Sequence, residues 1–144
     1  MSFTHLSSLS FEAILVFALL GLIVGSFVNV LIHRLPVMIL ASEDNPASDF
    51  NLMTPRSHCP HCHHRLQWFE LIPLFSYIFL KGRCRHCTQG ISLRYPAVEI
   101  VTAVLFLLCL NQYGFTLQAL MACFFCATLL ALAWIDAETF LLPD

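Results

Sequence analysis

Apolar and polar positions divide the chain into three long hydrophobic blocks, with one long polar stretch between the first and the second. Residues 13–32 give 20 mostly apolar positions, enough to cross about 30 Å of hydrocarbon as a helix. Pro36 is expected to end that helix region. Residues 37–54, with Ser-Glu-Asp-Asn-Pro and Ser-Asp, have the composition of an irregular loop. From about 56 to 95 the apolar pieces are short, at 66–69 and 74–80, and predict short strands or turns. Pro96 fits the first turn of a second helix over about 97–110. Its most apolar part is only 100–110, so the span is expected to begin at the membrane interface near Glu99. Asn111-Gln-Tyr-Gly114 predicts a turn, and 115–135 predict a third helix of 21 residues.

Composition turns this pattern into a membrane protein. The chain has 144 residues, 58% hydrophobic and 11% charged, with a mean hydropathy of +0.77, whereas soluble domains carry about 25% charged residues. The net charge of −2 says little, but its placement says more. Arg34, Arg56, Arg65, Lys81, Arg83, Arg85 and Arg94, which are all the Lys and Arg of the chain, fall between residues 34 and 94. The positive-inside rule puts that segment in the cytoplasm and the N-terminus outside. No basic residue precedes the first hydrophobic run, which is also too long for a signal peptide, so it is read as a retained helix. The expected fold is an all-α polytopic membrane protein of three transmembrane helices with a small cytoplasmic insertion. Its expected division is 1–36, 37–95 and 96–144. The basic residues are mixed with acids and tethered to the bilayer, so topology accounts for them better than nucleic acid does.

The insertion carries the strongest motif. Cys59-Pro-His-Cys62 and Cys84-Arg-His-Cys87 are two CxxC pairs with 21 residues between them. Each pair can offer two thiolates from a tight turn, and four thiolates close a tetrahedral zinc site. A redox or disulfide pair is the alternative, but a reducing cytoplasm argues for metal. His58, His61, His63, His64 and His86 surround the cysteines. One could replace a thiolate, yet an all-cysteine set is simpler, and a transition-metal carrier is the weaker reading. Cys109, Cys123 and Cys126 lie in the hydrophobic blocks and are assigned to packing. Gly21, Gly25 and Asn29 recur every four residues on one helix face. Small residues there let helices approach, and a buried Asn needs a partner across the interface. The proximity of His33-Arg34 leaves a functional use of that face open.

Asp136 stands at the end of the third hydrophobic block, in Trp134-Ile-Asp-Ala-Glu-Thr-Phe-Leu-Leu-Pro-Asp144. Such a carboxylate either marks the interface or does chemistry, and for chemistry it needs a partner. Aspartic proteolysis uses two carboxylates that share a proton. Glu138, two residues on, points elsewhere on a helix, and Pro143 leaves the geometry at Asp144 open. No Gly-rich phosphate loop, Gly-x-Ser-x-Gly elbow or His-Glu-x-x-His motif is present.

In four places the sequence resembles the type IV prepilin peptidases, bifunctional leader peptidases and N-methyltransferases of bacterial pilus and type II secretion systems. These are Gly25-Ser-Phe-Val-Asn-Val-Leu-Ile-His-Arg-Leu-Pro36, Pro55-Arg-Ser-His-Cys-Pro-His-Cys62 with Trp68-Phe-Glu-Leu-Ile-Pro-Leu-Phe-Ser-Tyr77, Lys81-Gly-Arg-Cys-Arg-His-Cys87 with Ile91-Ser-Leu-Arg-Tyr-Pro-Ala-Val-Glu99, and Trp134-Ile-Asp with Leu-Leu-Pro-Asp144. The resemblance implies an inner-membrane enzyme that cuts the leader of prepilins or pseudopilins at the cytoplasmic face. It also implies methylation of the new N-terminus with S-adenosylmethionine. It makes Asp136 the first of two catalytic aspartates and Asp144 a neighbouring motif position. Cys59, Cys62, Cys84, Cys87 and Gly82 fall in the methyltransferase half. The resemblance leaves a homo-oligomer open.

Three departures from the family pattern occur, two of them tolerated loop changes and the third larger. His63 follows the second cysteine where the family usually has Gly, and Leu71 precedes Ile-Pro where Asn is common. Nothing here matches the Gly-x-Gly-Asp motif that carries the family's second aspartate, so the chain is expected to be an N-terminal portion without peptidase activity of its own. A non-enzymatic membrane zinc module or gene remnant is the alternative.

Overall fold

The computed structural model describes residues 10–44, 56–59, 61–67, 70 and 72–139, with the backbone alone at 41–44 and 139. Four helices follow in order: α1 (Phe11–Asp44), α2 (Phe75–Phe79), α3 (Arg94–Tyr113) and α4 (Leu117–Thr139). α1, α3 and α4 are long and apolar enough to cross a membrane, with candidate spans Phe11–Leu40, Arg94–Tyr113 and Leu117–Glu138. The all-α, three-span architecture expected from the hydrophobic pattern is the one found. Among the described residues there is no strand, only the isolated bridges His58↔Arg65 and Arg83↔Gly90.

Helix boundaries differ from the expectation in instructive ways. α1 does not stop at Pro36 but runs on to Asp44 with the proline inside it. A proline removes one amide from the ladder, leaving the Ile32 carbonyl without its usual donor, but membrane helices tolerate this where neighbours compensate. The apolar turn that follows, Val37-Met-Ile-Leu40, continues the hydrophobic surface and the helix with it. The loop expected from 37 therefore does not begin before 45, and residues 45–55 lie outside the described residues. The piece at 74–80, expected as strand or turn, forms α2, and the expected turn at 111–114 shrinks to Gly114–Thr116. Gly114 ends α3 with φ +67 and bonds its amide back to the Leu110 carbonyl, a left-handed stop that favours glycine.

Lipid tails supply no hydrophobic drive between helices, so close packing has to hold the bundle. α1 packs most extensively on α3. A Cβ at Gly21 would lie 2.5 Å from Ala103 Cα, and one at Gly25 2.7 Å from Glu99 Cα. The glycine face anticipated from the sequence is thus a direct backbone-to-backbone contact. α4 offers its own small stripe, with Ala119, Cys123, Ala127 and Ala131 buried every four residues. Phe17, Ile32, Val98, Phe106 and Leu110 fill the spaces between. Cys109 and Cys123 are buried in this core, consistent with packing. Asn29 finds its cross-helix partner: Nδ2 donates to the Tyr95 carbonyl at 3.0 Å.

Candidate metal centre and catalytic edge

The two CxxC pairs fold as matching knuckles. In the first, the Cys59 amide donates to the His64 carbonyl at 2.9 Å and the His63 amide to the Cys59 carbonyl at 2.9 Å. In the second, the Cys84 amide donates to the Gln89 carbonyl at 2.8 Å and the Thr88 amide to the Cys84 carbonyl at 3.0 Å. The spacing of each bond is the same in both, so each turn presents its two thiols alike. Face to face, Cys59 Sγ lies 3.7 Å from Cys87 Sγ, and Cys62 Sγ lies 3.9 Å from Cys84 Sγ. All four sulfurs lie within 4.8 Å of one another. Zinc–sulfur bonds of about 2.3 Å in a tetrahedron set sulfur pairs about 3.8 Å apart. The donor set therefore fits a closed four-thiolate site, and no histidine is part of it among the described residues.

Electrostatics point the same way. Backbone hydrogen bonds from Cys62 and His61 hold the Cys59 thiol down to about 6. The Gln89 amide pulls Cys87 in the same direction, but burial and the three neighbouring thiols outweigh it and push Cys87 up to about 12. The first thiolate forms easily and the last is opposed by the charge already present. A divalent cation at the centre removes that opposition.

Both knuckles turn through a left-handed residue, His63 at φ 55 and Thr88 at φ 59. His63 is the position where the resemblance leads one to expect glycine, and the positive φ is the physical reason for that preference. His63→Gly should relieve about 1 kcal/mol of backbone strain, offset in part by glycine's freedom in the unfolded chain. Chelator competition is expected to read metal retention raised by up to about fivefold. Weaker retention would show that the His63 ring, 5.5 Å from that of His58, contributes more than the strain costs.

Gly82 precedes the second knuckle with φ +67, and a Cβ there would sit 2.8 Å from the Tyr77 hydroxyl. Its amide donates to the Tyr77 carbonyl and its carbonyl accepts from Ile91. Gly82 is therefore a packing glycine that joins α2 to the knuckle, with the Tyr77 ring occupying the space a side chain would take.

Asp136 is half-buried near the end of α4, and Asp144 lies outside the described residues. Among the described residues no hydrogen bond or ion pair ties Asp136 to a second carboxylate. Glu138 is engaged elsewhere: Arg94 Nη1 donates to its two oxygens at 2.8 and 2.7 Å, and the Trp134 indole donates to it at 3.0 Å. Arg94 begins α3, only three residues beyond Ile91, which bonds to Gly82. This pair puts the cysteine knuckles and Asp136 at the same end of the bundle. The sequence pattern gave no sign of it, because no spacing rule connects positions 94 and 138. Glu99, near which the second span is expected to begin, is buried, and its carboxylate accepts the Leu74 amide at 2.7 Å.

Comparison with known proteins places the sequence in a family. A family model for the bacterial peptidase A24 N-terminal domain matches residues 19–113. A prepilin leader peptidase/N-methyltransferase of Burkholderia pseudomallei (strain K96243) is 43% identical over 139 residues, covering 87% of this chain and 45% of the relative. The protein of that name from Neisseria gonorrhoeae is 43% identical over 154 residues, covering 98% and 54%. That from Dichelobacter nodosus is 44% identical over 142 residues, covering 88% and 50%. The chain thus spans about half the length of the curated relatives it matches. No solved structure matches it.

Proposed function

Because the chain belongs to the bacterial peptidase A24 family, by the N-terminal domain at residues 19–113, we propose that it serves in processing type IV prepilins and type II secretion pseudopilins. The whole protein cleaves the leader at the cytoplasmic face and methylates the new N-terminus, with S-adenosylmethionine as donor. One observation carries this reading: the Arg94–Glu138 pair at 2.7 Å brings the four-thiol module and Asp136 to one membrane face. A substrate entering from that face meets both. The lysine and arginine residues confined to 34–94 support the cytoplasm as that side and a periplasmic N-terminus in the inner membrane.

In this reading Asp136 supplies one of two carboxylates. One takes a proton from water while the other, protonated, polarises the scissile carbonyl, a division that only a proton-sharing pair achieves. Asp144 is a neighbouring position of the same sequence motif. Cys59, Cys62, Cys84 and Cys87 hold zinc, whose role is to fix the shape of the insertion. Gly82 serves the methyltransferase half by keeping the turn against Tyr77 closed; the space beside it is filled, so it is not assigned a contact to the methyl donor.

A polypeptide of residues 1–144 carries Asp136 but no Gly-x-Gly-Asp motif. Reconstituted alone in vesicles with a prepilin, it is expected to leave the leader uncut. Cleavage by that polypeptide, lost on Asp136→Asn, would contradict the two-carboxylate reading. No observation favours a non-enzymatic zinc module.

A further inference from the structure

The short helix α2 is not absorbed by the metal site or by the catalytic edge. It buries none of its residues. Phe75, Ile78 and Phe79 share one face at i, i+3 and i+4 and are 54%, 66% and 81% exposed. An extramembrane module in water does not ordinarily present two phenylalanines and an isoleucine side by side.

The depth of α2 supplies the explanation. Its start is fixed by the Leu74 amide, which donates to Glu99 Oε2 at 2.7 Å. Its end is fixed by Gly82, which bonds to Tyr77 and accepts from Ile91, just before α3. α2 is therefore tied to the first turns of α3 at its start, through Leu74. α3 has 20 residues, about 30 Å at 1.5 Å per residue, and that is about the thickness of the hydrocarbon it must cross. It has no length to spare outside the membrane. Glu99 lies five residues into it, about 7.5 Å below its start, and α2 is tied at that level.

We propose that α2 is an interfacial anchor whose Phe75–Ile78–Phe79 face inserts into the acyl edge of the bilayer leaflet, so that the metal-binding insertion rests on the membrane. The backbone meets the requirement of that environment, where amides must be satisfied internally. The amides of Ile78, Leu80 and Gly82 donate to Leu74, Ser76 and Tyr77, and that of Leu74 to Glu99. Lys81 and Arg83, exposed just past the helix, stand where headgroup phosphates would be, with stems long enough to follow the apolar surface outward. The occupant is lipid, because Leu74 ties the patch to Glu99, below the start of a spanning helix, and basic residues flank it on the side of the headgroups.

The test uses the unaltered protein in vesicles containing phosphatidylglycerol with a diazirine on its acyl chain. After illumination, adducts are mapped by mass spectrometry. Adducts are expected within residues 75–79 at a yield like that of Phe124, which faces outward from α4 and is 76% exposed. None is expected at Gln89, on the tip of the second knuckle. Phe79→Asp should remove the α2 adducts while leaving those at Phe124. Adducts at Phe124 without any at 75–79 would overturn the proposal. Crosslinking of 75–79 to an added prepilin peptide in place of lipid would overturn it equally, and would assign the patch to a protein.

Discussion

In the complete protein, exchanging Cys59 and Cys84 for serine is expected to remove about one zinc ion per molecule and to reduce the proposed methyl transfer by about a hundredfold. These two cysteines are the buried members of the cluster, one from each knuckle, so the double exchange leaves each turn with one exposed or half-exposed thiol. Metal binding in small zinc modules is worth on the order of 10 kcal/mol. The backbone bonds that close each knuckle, such as Cys59 to His64 and Cys84 to Gln89, contribute only about 1 kcal/mol each. Without the ion the two knuckles have little to hold them together, and the Gly82–Tyr77 turn that leads into the second knuckle loses its support. Metal analysis by plasma mass spectrometry, with methyl incorporation measured on the same preparation, checks both effects. Leader cleavage should fall less, because Asp136 is carried by α4, whose packing on α1 and α3 runs through Ala119, Cys123, Ala127 and Ala131 and does not involve the cysteine knuckles. Unchanged zinc content in the double variant would refute the assignment of these ligands.

In the complete protein, Asp136→Asn should reduce leader cleavage by about a thousandfold or more, the scale on which a positioned acid or base contributes. Asparagine keeps the size and the half-buried place on the helix but can neither take nor share a proton, so the pair mechanism stops while the fold persists. Glu138 does not substitute for it. Its carboxylate is fixed by Arg94 and the Trp134 indole, and on a helix two residues put it on nearly the opposite side from Asp136. The zinc content of Asp136→Asn should match that of the unaltered protein, which separates loss of chemistry from loss of structure.

The sequence reveals features governed by local rules and misses those set by meeting of distant segments. Three apolar blocks are long enough to span a membrane whatever they pack against, so their existence is visible without a structure. Tandem CxxC pairs fix their own turn geometry, which is why the four sulfurs could be named in advance and found within 4.8 Å. The glycine face of α1 was visible as a face, but its partner at Glu99, Thr102 and Ala103 was not. Pro36 misled because its usual effect, ending a helix, assumes that water waits to take the freed carbonyl. In a membrane segment the apolar turn after it favours continuing the helix. Glu99 and α2 escape the pattern for a related reason: a carboxylate and a short aromatic piece have ordinary surface meanings when taken alone. Only the hydrogen bond between Leu74 and Glu99 shows that each accounts for the other. The Arg94–Glu138 pair, which sets the knuckles and Asp136 on one side, joins residues 44 positions apart and leaves no local trace.

In the proposed function one membrane face carries two separable activities, with proteolysis resting on Asp136 and the methyltransferase half on the four-cysteine module. The most direct measurement is a paired assay of the complete protein in vesicles. It follows leader cleavage of a prepilin and, separately, methyl transfer to a pilin already cut, for Asp136→Asn beside the unaltered protein. The account predicts cleavage lost and methyl transfer kept. Cleavage retained by Asp136→Asn, or both activities lost together with zinc still bound, would contradict it.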